Sequence, residues 1–147
     1  MIVFTEVDRS CNADQVAQRL ALTAEERMRS RLLIENAGIA LRLPRGTVLH
    51  EDDVLRAPDG EAARVVAKAE PVLRVTADQP ADLLRAAYHL GNRHVPVEVH
   101  VDRLIFGRDP VLGAMLEHLG LRVESCELPF FPERGAYEGH ADDGHRH

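Results

Sequence analysis

Tryptophan is missing from this chain, and aromatic residues of any kind make up only 4% of it. That scarcity argues against a protein whose main business is stacking on nucleic-acid bases. An excess of basic charge is missing too. The formal net charge is -6, whereas binding to a phosphate backbone rests on basic patches. The negative balance suits a protein that attracts cations. Cysteine is limited to Cys11 and Cys126, with no CxxC pair. Two free thiols in a reducing compartment are therefore expected, and a disulfide framework is not. No apolar run approaches the roughly 20 residues of a membrane-spanning helix. The opening Met1-Ile2-Val3-Phe4-Thr5-Glu6 has no basic stretch followed by a long apolar one, so no signal peptide is read there, and the cytoplasm is the expected location. Catalytic signatures are lacking as well: there is no GxSxG, HExxH, P-loop or Rossmann fingerprint.

What remains is an ordinary globular composition, 45% hydrophobic and 29% charged over 147 residues, enough to bury a core without staples. The first half reads as short strands and turns. Ile2-Val3-Phe4 is a short apolar run, and residues 16–21 fit strand or helix equally well. Thr23-Ala24-Glu25-Glu26 has the spacing of a capping box, but no sustained helical period follows it. Strands are predicted over 31–34, 39–43 and 64–67, with Thr47-Val48-Leu49 as a further extended run. Turns are predicted at Asn36-Ala37-Gly38, Pro44-Arg45-Gly46, Asp52-Asp53 and Pro58-Asp59-Gly60. This spacing predicts a small all-β domain over residues 1–70.

After Ala69-Glu70-Pro71 the pattern changes to alternating strands and helices. Val72–Val75 predicts a strand. Asp78 or Gln79 followed by Pro80 and Asp82 starts a helix, whose apolar face is read as Leu83, Leu84, Ala87 and Leu90 and whose left-handed stop is read as Gly91. Val95, Val97, Val99 and Val101 alternate with Pro96, Glu98 and His100, predicting a half-buried strand with the valines inward. Leu104-Ile105-Phe106 pairs back. Asp109-Pro110 starts a second helix that Gly120 ends, and residues 121–128 form the last strand. The predicted fold class is therefore α+β: the β domain, then a ferredoxin-like βαββαβ domain over 71–138, then a flexible, histidine-containing tail over 139–147.

Eight histidines carry the chemistry that the sequence offers, since neutral imidazole ligates borderline metals well. His89 and His94 flank the junction between first helix and second strand. His89 falls in the last helical turn, where a local structural role is the simpler reading. His94 shares the parity of Pro96 and Glu98, opposite the inward valines, and so is expected to point outward. An outward histidine is ordinarily a surface residue. A two-fold axis that brought two copies together would make it a ligand pair. His140, His145 and His147 cluster at the end with Asp142 and Asp143 between them, a composition that fits either metal binding or a plain polar tail. A site built on such a tail would be weak and exchangeable. His50, His100 and His118 show no partner pattern, and Cys126 is read as a small buried hydrophobe.

Taken together, these segments resemble the UreE family of urease accessory proteins, the nickel metallochaperones of urease maturation. The resemblance runs over essentially the whole chain. It is carried by Leu22-Thr23-Ala24-Glu25-Glu26-Arg27, Leu43-Pro44-Arg45-Gly46-Thr47 and, most specifically, Ala87-Tyr88-His89-Leu90-Gly91-Asn92-Arg93-His94. Asp109-Pro110-Val111-Leu112, Phe131-Pro132-Glu133 and Gly135-Ala136-Tyr137 complete it.

The resemblance implies a peptide-binding-like N-terminal domain and a C-terminal domain that forms a homodimer. It implies that His94 and its dimer mate bind Ni²⁺ between the chains, with further ligands from the tail, His145 or His147 before His140. It implies as partners the urease accessory GTPase and, through it, apo-urease with its other accessory proteins. Neither nucleic acid nor membrane is expected. Some members carry extra histidines before the second helix of this domain; here that region reads Phe106-Gly107-Arg108-Asp109-Pro110, so no auxiliary site is expected there. Zn²⁺ or Cu²⁺ fit the same imidazoles, so nickel selectivity does not follow from the ligands. Two other readings compete: a metal-dependent hydrolase, which would need a water-activating constellation that the sequence does not show, and a peptide-binding adaptor with incidental histidines.

Overall fold

Residues 1–134 are described by the structure, a computed structural model, and the chain divides into two units, Met1–Lys68 and a second that begins at Ala69. The first unit runs β1 (Ile2–Phe4), β2 (Glu6–Asp8), β3 (Arg19–Leu22), one helical turn α1 (Ala24–Arg27), β4 (Arg31–Ile34), β5 (Ile39–Arg42), β6 (Val54–Arg56) and β7 (Ala62–Ala67). The capping box forms: Thr23 Oγ1 accepts from Glu26 N at 3.2 Å, and Glu26 Oε1 accepts from Thr23 N at 2.9 Å. Only one turn follows it, in keeping with the missing helical period.

Two sheets build the unit, in the orders β1-β5-β4 and β2-β6-β7-β3. Phe4, Leu22, Leu41, Leu55 and Val65 lie in its core. The ambiguous 16–21 stretch resolves as β3 from Arg19, pairing in parallel with β7. Thr47-Val48-Leu49 forms no strand, although Leu49 is buried. β2 and β6 were not legible, because three-residue strands are too short to show alternation and are defined by their pairing.

Asp8, on β2, accepts from Ser10 Oγ at 2.7 Å, from Ser10 N at 3.0 Å and from Arg56 Nε at 2.9 Å. These bonds, that from the Ser10 hydroxyl first, then the Arg56 guanidinium and then the Ser10 amide, hold its pKa down to about 2. A carboxylate with a depressed folded pKa contributes stability that is present above its unfolded value, near ~4, and is lost as pH falls through the folded value. Asp8→Asn should therefore reduce stability at neutral pH and shrink its loss between pH ~4 and ~2 in acid denaturation followed by circular dichroism. An unchanged acid profile would refute this role.

The second unit runs β8 (Ala69–Thr76), α2 (Pro80–Asn92), β9 (Val97–Val99), β10 (Leu104–Gly107), α3 (Pro110–His118) and β11 (Arg122–Pro129). The sheet order is β11-β8-β10-β9 with every neighbour antiparallel, which is the predicted ferredoxin-like arrangement. Leu73, Val75, Leu104 and Phe106 on the sheet share one core with Leu83, Ala86 and Leu90 of α2 and Leu116 of α3. Gly113 lets α3 lie close on β8, since a Cβ there would stand 3.0 Å from Leu73 Cδ1. Asp109 caps α3, accepting from Val111 N and Leu112 N, both at 3.1 Å. No helix among the described residues is long and apolar enough to cross a membrane.

Four expectations need correction. Leu84 is 72% exposed and Ala86 fills the inward position on α2 instead. The valine strand is only three residues long. His100 N bonds Arg103 O at 3.0 Å, so the chain is already turning and Val101 sits fully exposed at the tip. Glu98, expected outward, is 9% exposed. Cys126 is half-buried rather than buried.

Leu116 is completely enclosed, so Leu116→Ala should cost ~2–5 kcal/mol in urea unfolding. A loss well under 1 kcal/mol would mean that this helix–sheet core is not what holds the unit together.

Candidate metal site

The end of α2 is shaped by two hydrogen bonds. His94 N donates to Gly91 O at 3.0 Å, and Val95 N donates to Leu90 O at 3.1 Å. With Arg93 as the cap, this is the Schellman closure, in which the residue after the cap adopts the left-handed conformation and the next one packs back on the helix. Val95 packs against the core cluster that contains Leu90. The left-handed residue is His94, at φ 58°. The predicted stop at Gly91 is thus corrected: Gly91 remains within the helix and has no positive φ.

The other helix of the unit supplies an internal comparison. α3 ends in the same closure: Gly120 N donates to Glu117 O at 2.9 Å, and Leu121 N to Leu116 O at 3.1 Å. There the left-handed position, at φ 92°, is glycine. Among the described residues only Asp52 and His94 take positive φ without being glycine. A side chain in that region crowds the backbone by about 1–2 kcal/mol, although histidine is one of the residues that tolerates it. Backbone strain of this kind concentrates where a side chain has work to do. The consequence is geometric: His94 is exposed on a turn fixed by hydrogen bonds rather than on a strand. Its outward placement comes from the turn, not from the strand parity by which it was expected.

Around this turn α2 presents an exposed stripe of Ala81, Leu84, Tyr88 and Gly91, spaced three and four residues apart. Tyr88 is 68% exposed. Gly91 has no internal reason to be glycine, because a Cβ there would meet nothing within 4 Å. His89 is half-buried, its ring edge-on to Tyr88 at 5.5 Å between centroids, while its carbonyl accepts from Arg93 Nη1 at 3.2 Å. His50 and His118 are exposed and stand apart from this turn in sequence and element. His100 was read as partnerless, but it pairs through Nε2 with Glu98 Oε2. Glu98 was missed because strand alternation assigned it to solvent; an i,i+2 Glu-His pair on one strand face was the available signal. His140, His145 and His147 lie outside the described residues. Among the described residues no group of three or more His, Cys, Asp or Glu side chains could hold a metal ion.

Comparison with known proteins bears on the whole chain. Residues 5–68 match the model of the N-terminal domain of the UreE urease accessory protein, and residues 70–147 that of its C-terminal domain. The chain belongs to the UreE family. A urease accessory protein UreE from Nostoc punctiforme is 50% identical over 144 residues, covering 95% of this chain and 97% of that protein. One from Thermosynechococcus vestitus is 53% identical over 133 residues, covering 88% and 91%. One from Cupriavidus necator is 52% identical over 134 residues, covering 89% and 68%. Membership of the UreE family gives the chain an accessory role in urease maturation, as a chaperone and not an enzyme.

If the turn does not need its histidine, His94→Gly should leave the metal-free protein as stable or raise its stability by ~0.5–1 kcal/mol, and the mirror change Gly120→His should lower it by ~1 kcal/mol. Urea unfolding of the two variants decides this. A clear loss for His94→Gly would assign His94 a structural role.

Proposed function

We propose that the chain is a homodimeric nickel carrier in which His94 and its symmetry mate share one Ni²⁺ between two protomers. His140, His145 and His147 supply further, exchangeable ligands, and the ion passes to the urease accessory GTPase and through it to apo-urease in the cytoplasm. In this reading residues 1–70 serve partner contact, residues 71–138 dimerise and hold the ion, and residues 139–147 are the ligand-bearing tail.

The observation that carries the reading is His94 itself: an exposed imidazole fixed on a Schellman turn, in the one position of that turn where its counterpart on α3 is glycine. With no cluster of donors beside it among the described residues, an ion held there draws its other ligands from elsewhere. A two-fold axis supplies a second copy of the same imidazole at no cost in sequence. The exposed Leu84–Tyr88 stripe leads along α2 to that turn, and Gly91 leaves room for a second backbone to come close.

Ni²⁺ is cargo here. Two imidazoles leave coordination positions open, so that a recipient's ligands can add before the carrier's leave. Zn²⁺ and Cu²⁺ fit the same donors, and Cu²⁺ more tightly; supply and partner must provide the selectivity. Because protonated imidazole cannot ligate, affinity should weaken in acid.

Calorimetric titration with Ni²⁺ should find about one strong site per dimer, the stoichiometry of a ligand shared on a two-fold axis. His94→Ala should abolish it, while the protein still elutes as a dimer. Unchanged nickel affinity in that variant would overturn the assignment.

A further inference from the structure

Glu98 is a carboxylate where the strand pattern asks for a surface residue, yet it is buried. It stands on the sheet face away from the helices, in a row that runs Glu98, Ile105, Arg74, Glu124 across β9, β10, β8 and β11. The chain that leaves β11 after Pro129, on one edge of the sheet, reaches β9 on the opposite edge. Val72 and Ile105 on this face, and Phe130 in the crossing segment, are all buried. There Phe131 N donates to Glu98 Oε1 at 2.8 Å, and His100 Nε2 holds the other oxygen, Oε2. Two residues on, Glu133 N donates to Val97 O at 2.7 Å.

The order of these contacts gives a direction. From Phe131 to Glu133 the chain moves from Glu98 to Val97, against the run of β9 and back toward His94. Val97 lies three positions along the chain from His94, a span of at most ~11 Å, and the seven steps from Glu133 to His140 can cover up to ~25 Å. A buried carboxylate bonded at both oxygens is a strong anchor, since charge-assisted hydrogen bonds are about twice as strong as neutral ones.

We propose that Glu98 is a positioning residue: it fastens residues 131–133 along the free edge of β9, so that the chain bearing His140, His145 and His147 sets out from beside His94. This rests on the reading that tail histidines add ligands to an ion at His94. Fixing the root of the tail shortens the tether and raises the effective concentration of its imidazoles at that ion. Among the described residues the side-chain partners of Glu98 are His100 and Phe131, neither of them a proposed ligand; it acts through where the tail begins.

The test uses the full-length dimer. Without metal, Glu98→Ala should speed hydrogen exchange of the Phe131 and Glu133 amides at least ~10-fold, because both bonds then open locally. In Ni²⁺ calorimetry, Glu98→Ala should lose the same factor in affinity as truncation after Gly139, on the order of tenfold for a lost tether. Combining the two changes should cost nothing more, because both remove one contribution. Glu98→Gln, which keeps an acceptor for Phe131 N, should restore most of the affinity. Should the alanine variant not fold, Glu98→Asp, with its carboxylate drawn back by one methylene, takes its place with the same expected direction. Freed amides with wild-type nickel affinity would overturn the proposal alone, as would unaltered exchange or additive losses. A truncation that costs no affinity would overturn the tail reading and this proposal together.

Discussion

The packing of Val95 against the cluster around Leu90 governs this end of the second unit. Burial of those two side chains pulls the chain back onto α2 within five residues, and only a left-handed residue between them allows so tight a reversal. The position of His94 follows from that requirement. Its φ is set by the closure, its exposure by the turn, and its distance from β9 by the two residues that separate it from Val97. The same hydrophobic closure between Leu116 and Leu121 ends α3. The fold thus builds the turn twice and places an imidazole at its left-handed position once.

The order of elements in the second unit was legible because its helices carry strong punctuation. Asp109 and Pro110 start one helix, and Gly120 ends it, as read. The errors share a cause. Gly91 was read as the stop because glycine usually fills the left-handed position, and nothing local indicates that a histidine three residues later fills it instead. Leu84 was placed inward because an apolar residue at helical spacing normally is. Exposed apolar residues are common on ordinary protein surfaces, and Leu84 is one of them. Val99, Val101 and Glu98 were misassigned because alternation describes a strand that runs on, whereas β9 stops after three residues and is covered by a segment 33 positions away. Sequence patterns report periodicity; they do not report which later piece of chain lies across a sheet.

The candidate site was legible in a different way. Periodicity left His94 as one outward histidine among several, and the resemblance singled it out. What the structure adds is a reason internal to the chain: this histidine sits where a glycine would be more comfortable, and the sister turn on α3 has that glycine. The link from Glu98 to the segment after β11 was not legible at all, since it joins residues whose separation carries no pattern.

The paired turns also bear on how such a site is kept over time. A core leucine is guarded by the fold, because its loss unfolds the protein. His94 has no such guard: the backbone at its position accepts glycine more readily than any side chain. Drift toward glycine would be favoured by folding alone, and only a use for the imidazole opposes it. On the reading of His94 as a ligand, the residue on this turn reports what the chain does, rather than how it folds.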